Sequence, residues 1–167
     1  MLTNVKEELN RFAKYVISQS RANLTRQKKN SSKELYNSLD SNIKVSKNSF
    51  ELSFLMAEYG VFQDKGVSGV KKKYNTKYAY TTKMPPPSKM DKWIVKKGIA
   101  PRDKDGKFIS RKSLQFMIAR SIFNNGIKPS LFFTKPFEKA FKGLNKDLVE
   151  AYKLDVEALM KNSINNK

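Results

Sequence analysis

The chain has 167 residues, 39% of them hydrophobic, and its 34 Lys and Arg against 15 Asp and Glu give a formal net charge of +19 at pH 7. This length suits one domain with a real hydrophobic core, and the composition argues against intrinsic disorder. The absence of cysteine and histidine excludes disulfides, thiolate metal sites and the usual Ser-His or Cys-His catalytic pairs. We therefore expect no catalytic residues, no metal and no cofactor.

The first predicted element is an amphipathic helix that extends to about residue 27. Asn4 and Glu7 have the spacing of a capping pair. Apolar residues then recur at helical spacing, namely Val5, Leu9, Phe12 and Val16. Ser31 and Glu34 repeat the capping signal and predict a short second helix.

A β-hairpin is predicted over residues 42–56, with its turn at Lys47 and Asn48. Because side chains alternate between the two faces of a strand, one register places a set of four apolar residues against the helices. These residues are Phe50, Leu52, Phe54 and Met56.

Residues 60–87 predict an extended, partly mobile insertion with a short strand at Tyr78–Thr82. A short helix capped by Ser88 and ended by Gly98 should follow. The turn-forming pair Asp105-Gly106 then predicts a small hairpin between Ile99 and Ile109.

Two further helices are predicted near the C-terminus. Ser110 caps the first, which ends at Gly126. The second opens with Thr134-Lys135-Pro136-Phe137, directly after an aromatic segment that we expect to be an exposed loop, and it carries a long apolar stripe. Residues 160–167 predict a loose polar tail.

Common chemical motifs fail when they are tested against the sequence. Asp103-x-Asp105-Gly106 resembles part of a calcium loop, but Lys112 occupies the position that should be Glu. The segment from Gly66 to Gly69 lacks the Lys-Ser/Thr step of a phosphate-binding loop. No apolar run approaches the roughly 20 residues that span a bilayer, so we expect no membrane anchor.

Positive charge is concentrated in the middle of the chain. Residues 61–112 carry 15 basic and four acidic side chains, a net charge of +11. Aromatic residues alternate with these lysines, a composition that single-stranded nucleic-acid binders use, although a solvated loop with packed tyrosines would look the same. The candidate contacts to a polyanion or an acidic partner are Lys71, Lys72, Lys73, Lys77, Lys83, Lys96, Lys97 and Arg102.

Three stretches in order resemble the head-tail joining, or tail-completion, proteins of long-tailed bacteriophages. Residues 31–39 (SSKELYNSL) resemble the segment where that family has a turn before Leu-x-x-Ser-Ile. Residues 57–60 (AEYG) resemble its Glu-Phe-Gly, and residues 129–137 (PSLFFTKPF) resemble its Ala-Arg-Pro-Phe-Leu-x-Pro-Ala. The chain departs from the family in lacking an Asp-Thr-Gly element and in the length of its middle segment.

The resemblance implies a single α+β domain, residues 1–167, with a core formed by residues 1–60 and 126–160 and an insertion at residues 61–125. It implies a small antiparallel sheet packed by an N-terminal and a long C-terminal helix. It also implies a structural virion protein, made in the host cytoplasm, that forms a hexameric or dodecameric ring at the head-tail junction. Its neighbours would be a head-completion or portal-side protein, a tail protein and packaged DNA in the channel.

On this hypothesis, five residues contact other copies or neighbouring proteins: Tyr59, Phe62, Phe132, Phe133 and Pro136. For each Phe, plain core packing is the alternative. The competing function is a basic, nonspecific nucleic-acid-binding accessory protein, and a more distant one is an enzyme that uses carboxylates alone.

Overall fold

The computed structural model describes residues 2–47 and 49–165 of the chain. Within these residues the fold is α+β, as predicted, with six α-helices and one two-stranded antiparallel sheet. None of the described helices combines the length and apolar character needed to cross a membrane. By its internal contacts the chain divides into two compact units, residues 1–57 with 132–167 (unit 1) and residues 58–131 (unit 2). The predicted insertion lies inside unit 2.

The elements follow one another with short connections except in the middle of unit 2. In chain order they are α1 (Thr3–Arg26), α2 (Glu34–Ser38), β1 (Asp40–Ser46), β2 (Ser49–Leu55), α3 (Tyr59–Lys65), α4 (Asp91–Lys97), α5 (Arg111–Asn125) and α6 (Thr134–Asn165). A 3₁₀ turn at Pro87–Met90 leads directly into α4. Unit 2 contains α3, α4 and α5, and unit 1 contains the other elements.

Unit 1 is built on the pairing of α1 with α6. Val5 and Leu9, near the start of α1, pack with Ala151 near the end of α6. At the other end of the pair, Leu24 packs with Phe132, just before α6 begins. The two helices therefore run antiparallel, and the helical spacing of their apolar residues gives each a stripe that the other covers.

The start of α1 is capped from α6. Both oxygens of the Asp155 carboxylate accept hydrogen bonds, from the Asn4 N–H and side-chain amide at 3.0 and 2.8 Å and from the Val5 N–H at 3.0 Å. Burial acts to raise the pKa of Asp155, but these hydrogen bonds outweigh it and hold the pKa below its ordinary value. The predicted Asn4 cap is therefore wrong: the helix begins at Thr3, and its free N–H groups are satisfied by a carboxylate 151 residues away.

The hairpin lies against this helix pair in the predicted register. Ile43 pairs with Leu52 and Val45 with Phe50. Phe50 and Leu52 pack against the cluster at the start of α1, and Phe54 packs in the next cluster along the helices. The prediction of one inward face is confirmed, whereas the predicted turn residue Asn48 lies outside the described residues.

Unit 2 is held together by a close crossing of two backbone segments. Val67 and Ile127 exchange both backbone hydrogen bonds, at 2.9 and 2.7 Å. Gly69 and Gly126 lie at this crossing, where a Cβ on either one would collide with backbone atoms of the other segment. Gly126 also has a φ of +71°, which favours glycine. These two glycines therefore allow the close contact between the two segments, and Gly126 also allows the turn after α5.

The first and last segments of unit 2 are also hydrogen-bonded to each other. The Ser130 N–H donates to the carbonyls of Gln63 and Asp64 at 3.2 and 3.1 Å. The Leu131 N–H donates to the Asp64 carbonyl at 3.0 Å. The chain therefore leaves unit 2 beside the helix by which it enters.

The helices of unit 2 confirm some capping predictions and correct others. The Ser110 hydroxyl accepts from the Ser113 N–H at 3.2 Å and caps α5, as predicted. Gly98 ends α4 in the left-handed conformation, also as predicted. Ser88 is not a cap, because it lies inside the 3₁₀ turn that precedes α4. Asp91, the first residue of α4, forms a salt bridge with Arg111 of α5 at 2.7 Å.

Three other boundaries differ from the predictions. The expected strand at Tyr78–Thr82 is a single bridge between Ser68 and Ala79. Glu34 begins α2 without a side-chain cap, because the N-cap position is occupied by Lys33, whose side chain has no hydrogen-bond acceptor. The expected loose tail is helical as far as Asn165, and residues 166 and 167 lie outside the described residues.

Candidate functional site

An aromatic ladder connects the core of unit 1 to its surface. Phe54 and Phe133 meet edge to face with ring centroids 5.2 Å apart, and Phe12 meets Phe137 in the same way at 5.6 Å. Phe137 then stacks on Phe141 at 5.6 Å. Phe141 is exposed, so the ladder brings aromatic surface to the solvent side of α6.

An apolar groove lies at the end of unit 1 where α1, the hairpin and α6 meet. Its volume is about 1000 Å³. Its apolar lining comes from all three elements and comprises Leu2, Val5, Leu9, Val45, Phe50, Leu148, Val149 and Tyr152. Lys47 and Lys153 also line it. A groove of this kind can accept apolar side chains of a partner.

The outer side of α6 continues the groove as an exposed apolar stripe. Helical spacing places five exposed side chains on this stripe, namely Phe141, Val149, Tyr152, Leu159 and Met160. The buried residues Leu144 and Ala151 lie on a separate stripe that faces α1. The last helix therefore has one apolar stripe that the fold covers and another that it leaves exposed.

A basic loop in unit 2 is folded back on Ser68. The Ser68 hydroxyl donates to the Tyr74 carbonyl at 3.1 Å and accepts from the Tyr74 N–H at 2.9 Å. The Ser68 backbone donates to the Tyr78 carbonyl and accepts from the Tyr80 N–H, each at 2.8 Å. These bonds fix residues 74–80, and the Lys71 and Lys72 N–H groups donate to the Asn124 carbonyl at 2.9 and 3.1 Å. The loop at residues 71–80, which carries Lys71, Lys72, Lys73 and Lys77, therefore has a defined path.

The aromatic residues of this loop line a cleft of about 570 Å³. Phe62 meets Tyr78 edge to face at 4.8 Å, and the Lys77 ammonium lies 5.2 Å from the Tyr78 ring centroid. Tyr59 and Tyr80 complete the aromatic lining, with Gln63, Val67 and Ile127. Burial raises the pKa of the Tyr80 hydroxyl further above neutral pH. Like an ordinary tyrosine, it is protonated at neutral pH and can donate a hydrogen bond. The cleft therefore combines aromatic faces with one cation and hydrogen-bonding groups.

The five predicted contact residues are divided between unit 1 and unit 2. Tyr59 and Phe62 are exposed on α3 and lie together at the cleft in unit 2. Phe132 is 0% exposed and packs with Leu24 in the core of unit 1. Pro136 is also buried, and Phe133 is half-buried against the same core. The expectation of an exposed aromatic loop at these positions is therefore wrong, because the segment closes the end of the α1–α6 pair.

The eight predicted polyanion contacts are all exposed and all in unit 2. Lys71, Lys72, Lys73 and Lys77 share the loop on Ser68, and the Lys72 ammonium lies 5.7 Å from the Tyr74 ring centroid. Of the others, Lys83 follows this loop, and Lys96 and Lys97 end α4. Arg102 lies over the Phe108 ring at 3.9 Å, where it closes a small turn instead of joining the loop.

Sequence reasoning missed two features of these surfaces. The sequence predicts one long apolar stripe on the last helix, whereas the helical angle between Leu144 and Tyr152 divides its apolar residues into two stripes. The sequence pattern of residues 66–69, which fails as a phosphate-binding loop, assigns no role to Ser68. The position of Ser68 between Gly66 and Gly69 could have indicated an irregular backbone here. The hydrogen bonds to Tyr74, however, depend on the fold.

No protein-family model matches the chain, and neither a curated protein nor a solved structure matches it. Within residues 2–47 and 49–165, no group of three or more acidic side chains could hold a metal ion. The function must therefore be inferred from the surfaces and from the resemblance found in the sequence.

Proposed function

We propose that the chain is a structural protein of a phage particle, a head-tail joining or tail-completion protein that forms a ring at the neck. It acts by binding copies of itself and its head-side and tail-side neighbours, and it catalyses no reaction. Unit 1 supports this proposal with its order of elements: first helix, hairpin, aromatic segment and final helix. This is the order that the resemblance implies.

The observation that carries the proposal is the exposed apolar surface of unit 1. The groove and the outer stripe of α6 are continuous through Val149 and Tyr152, which belong to both. Soluble monomers seldom leave a large contiguous apolar patch uncovered, and such patches mark interaction sites. A neighbouring copy would bury this surface.

A ring requires that each copy presents two different surfaces, because a head-to-tail contact closes only when it is repeated around an axis. The groove of unit 1 is one surface. The exposed aromatic residues Tyr59 and Phe62 of unit 2 are the candidate for a second contact, with a copy or with a neighbouring protein. The strong positive charge of unit 2 suits acidic neighbours or DNA in the channel.

The decisive experiment locates the protein and its assembly state. Purified infectious particles should contain the chain, detected by mass spectrometry, at a stoichiometry of one ring per particle. The isolated protein, or the protein with its purified neighbours, should show rings in negative-stain images. Mature particles that lack the chain would refute the proposal.

A matched pair of variants tests the surface itself. Tyr152 and Leu154 are both on α6 and are 53% and 54% exposed, but they lie on nearly opposite sides of the helix. Tyr152→Glu should prevent ring formation and leave a folded chain, because it places a charge on the proposed interface. Leu154→Glu adds the same charge and should assemble normally. If both variants assemble like the wild type, the groove is not the interface.

A further inference from the structure

Unit 2 has the charge of a polyanion-binding module. It carries 17 basic and five acidic side chains, so it contributes +12 of the total +19, whereas unit 1 contributes +7. Four of these basic residues lie in the loop at residues 71–80, which has no acidic residue. A surface of this kind attracts polyanions over distances comparable to the Debye length.

The loop presents its charges beside an aromatic cleft. Ser68 holds the backbone at Tyr74, Tyr78 and Tyr80, which flank Lys77. The Asn124 carbonyl accepts from the N–H groups of Lys71 and Lys72, so this lysine run also has a fixed backbone. Phe62 and Tyr78 form one wall of the cleft. The cleft volume lies within the range of about 300–1,000 Å³ that is usual for pockets that bind organic ligands.

We infer that unit 2 binds single-stranded nucleic acid, with the phosphates on Lys71, Lys72, Lys73 and Lys77 and a base in the cleft against Phe62 and Tyr78. The lysines account for attraction to any polyanion. The aromatic cleft favours a single strand, because the bases of a duplex are already stacked and cannot enter it. Gln63 and the Tyr80 hydroxyl supply polar groups at the cleft without a pattern that would select one base.

This inference goes beyond the neck-ring proposal and rests on a different surface from the one that carries that proposal. The ring proposal is carried by the groove and the outer stripe of unit 1, whereas the binding site lies entirely in unit 2 and shares Tyr59 and Phe62 with the candidate second contact. Either proposal can fail while the other stands.

The test measures binding of the full-length protein to a fluorescent oligothymidylate of about 20 nucleotides by fluorescence anisotropy. That probe is longer than the roughly 4–16 nucleotides covered by one comparable surface. Affinity should fall steeply between about 50 and 200 mM salt, and it should exceed the affinity for a duplex of the same length. Equal affinity for the single strand and the duplex would overturn the inference.

A triple variant tests the phosphate contacts. Lys71→Gln with Lys72→Gln and Lys73→Gln should reduce the slope of log affinity against log salt by roughly 2, since each phosphate contact on a single strand contributes about 0.7. The control removes the same charge from unit 1, with Lys139→Gln, Lys142→Gln and Lys146→Gln, all of them exposed on α6. An equal loss in the control would show that only net charge matters and would refute the site.

A second pair of variants tests the cleft. Phe62→Ala should weaken binding of the oligothymidylate by about five- to hundredfold, the usual loss of a stacked base, and should leave binding of heparin unchanged. Phe116→Ala is the control, because Phe116 is 48% exposed in the same unit, against 41% for Phe62, and does not line the cleft. If heparin binds as tightly as the oligothymidylate, or if Phe62→Ala behaves like Phe116→Ala, bases are not recognised and the inference fails.

Discussion

The side chain of Ser68 is hydrogen-bonded to both backbone polar groups of Tyr74, as donor to its carbonyl at 3.1 Å and as acceptor from its N–H at 2.9 Å. The Ser68 hydroxyl thereby satisfies the Tyr74 N–H and carbonyl, which a neighbouring strand would otherwise have to pair with. The basic loop keeps a defined path although it has no regular secondary structure.

Ser68→Ala should therefore loosen this loop without unfolding unit 1. Removing the hydroxyl leaves both Tyr74 groups without this partner, and we expect a loss of about 1–3 kcal/mol from the free energy of unfolding. Hydrogen exchange should accelerate at the amides of residues 74–80. The control Ser88→Ala, at an exposed position, should change stability by less than about 0.5 kcal/mol. Unchanged exchange at residues 74–80 would show that Ser68 does not organise the loop.

The cap on α1 predicts a specific pH dependence. The pKa of Asp155 is lower in the folded chain than in the unfolded one, so its contribution to stability is present above the unfolded pKa of about 4 and is lost as pH falls through the lower folded pKa. Urea midpoints measured between neutral and acidic pH should show this loss.

Asp155→Asn should be less stable than the wild type at neutral pH and should show a smaller further loss below about pH 4. Asp147→Asn, at an exposed carboxylate on the same helix, should follow the wild-type profile. A parallel pH profile for Asp155→Asn and the wild type would contradict the capping role.

Phe132 tests whether the aromatic segment before α6 is core or interface. Because the side chain is fully buried, Phe132→Ala should cost about 3–5 kcal/mol of unfolding free energy. Phe62→Ala, which removes a ring that is 41% exposed and meets Tyr78 edge to face, should cost less, about 0.5–1.5 kcal/mol. A Phe132→Ala protein with wild-type stability and defective assembly would restore the role in subunit contacts that the sequence predicts.

The backbone crossing in unit 2 predicts unequal costs for two glycine substitutions. Gly98 and Gly126 both have positive φ, 61° and 71°. Among the described residues, no atom lies within 4 Å of a Cβ at Gly98, whereas a Cβ at Gly126 would collide with the Val67 carbonyl. Gly98→Ala should cost only the left-handed backbone strain of about 1–2 kcal/mol.

Gly126→Ala adds a steric clash to that strain and should destabilise the chain more than Gly98→Ala. Thermal or urea unfolding of the two variants side by side measures the difference. Equal stability of both variants would mean that the two segments do not cross as closely as the structure has them.

Features with local causes were predictable from the sequence. The apolar spacing of Val5, Leu9 and Phe12 defines the buried side of α1, and the alternation around Leu52 defines the inward face of the hairpin. Ser110 caps α5 because the bond that it makes reaches only three residues along the chain. In each case the interaction lies within one or two turns of helix or one strand.

Features that depend on distant partners were not predictable in the same way. The cap of α1 comes from Asp155, and no local pattern near Asn4 indicates this. The sequence of residues 129–137 fits both an exposed aromatic loop and a core plug, and only the position of α6 against α1 decides for the core. The groove could not be predicted either, since its lining comes from three separate elements.

The hydrogen bonds from Ser130 and Leu131 to Gln63 and Asp64 bring the two boundaries of unit 2 side by side. In unit 1, the corresponding ends also meet, since Ala57 packs against the cluster that contains Phe132. Unit 2 can therefore be deleted by joining residue 57 to residue 132 through a short linker, or exchanged for another segment, without changing the packing of α1 and α6. Gain or replacement of unit 2 would thus alter one binding module while unit 1 stays the same.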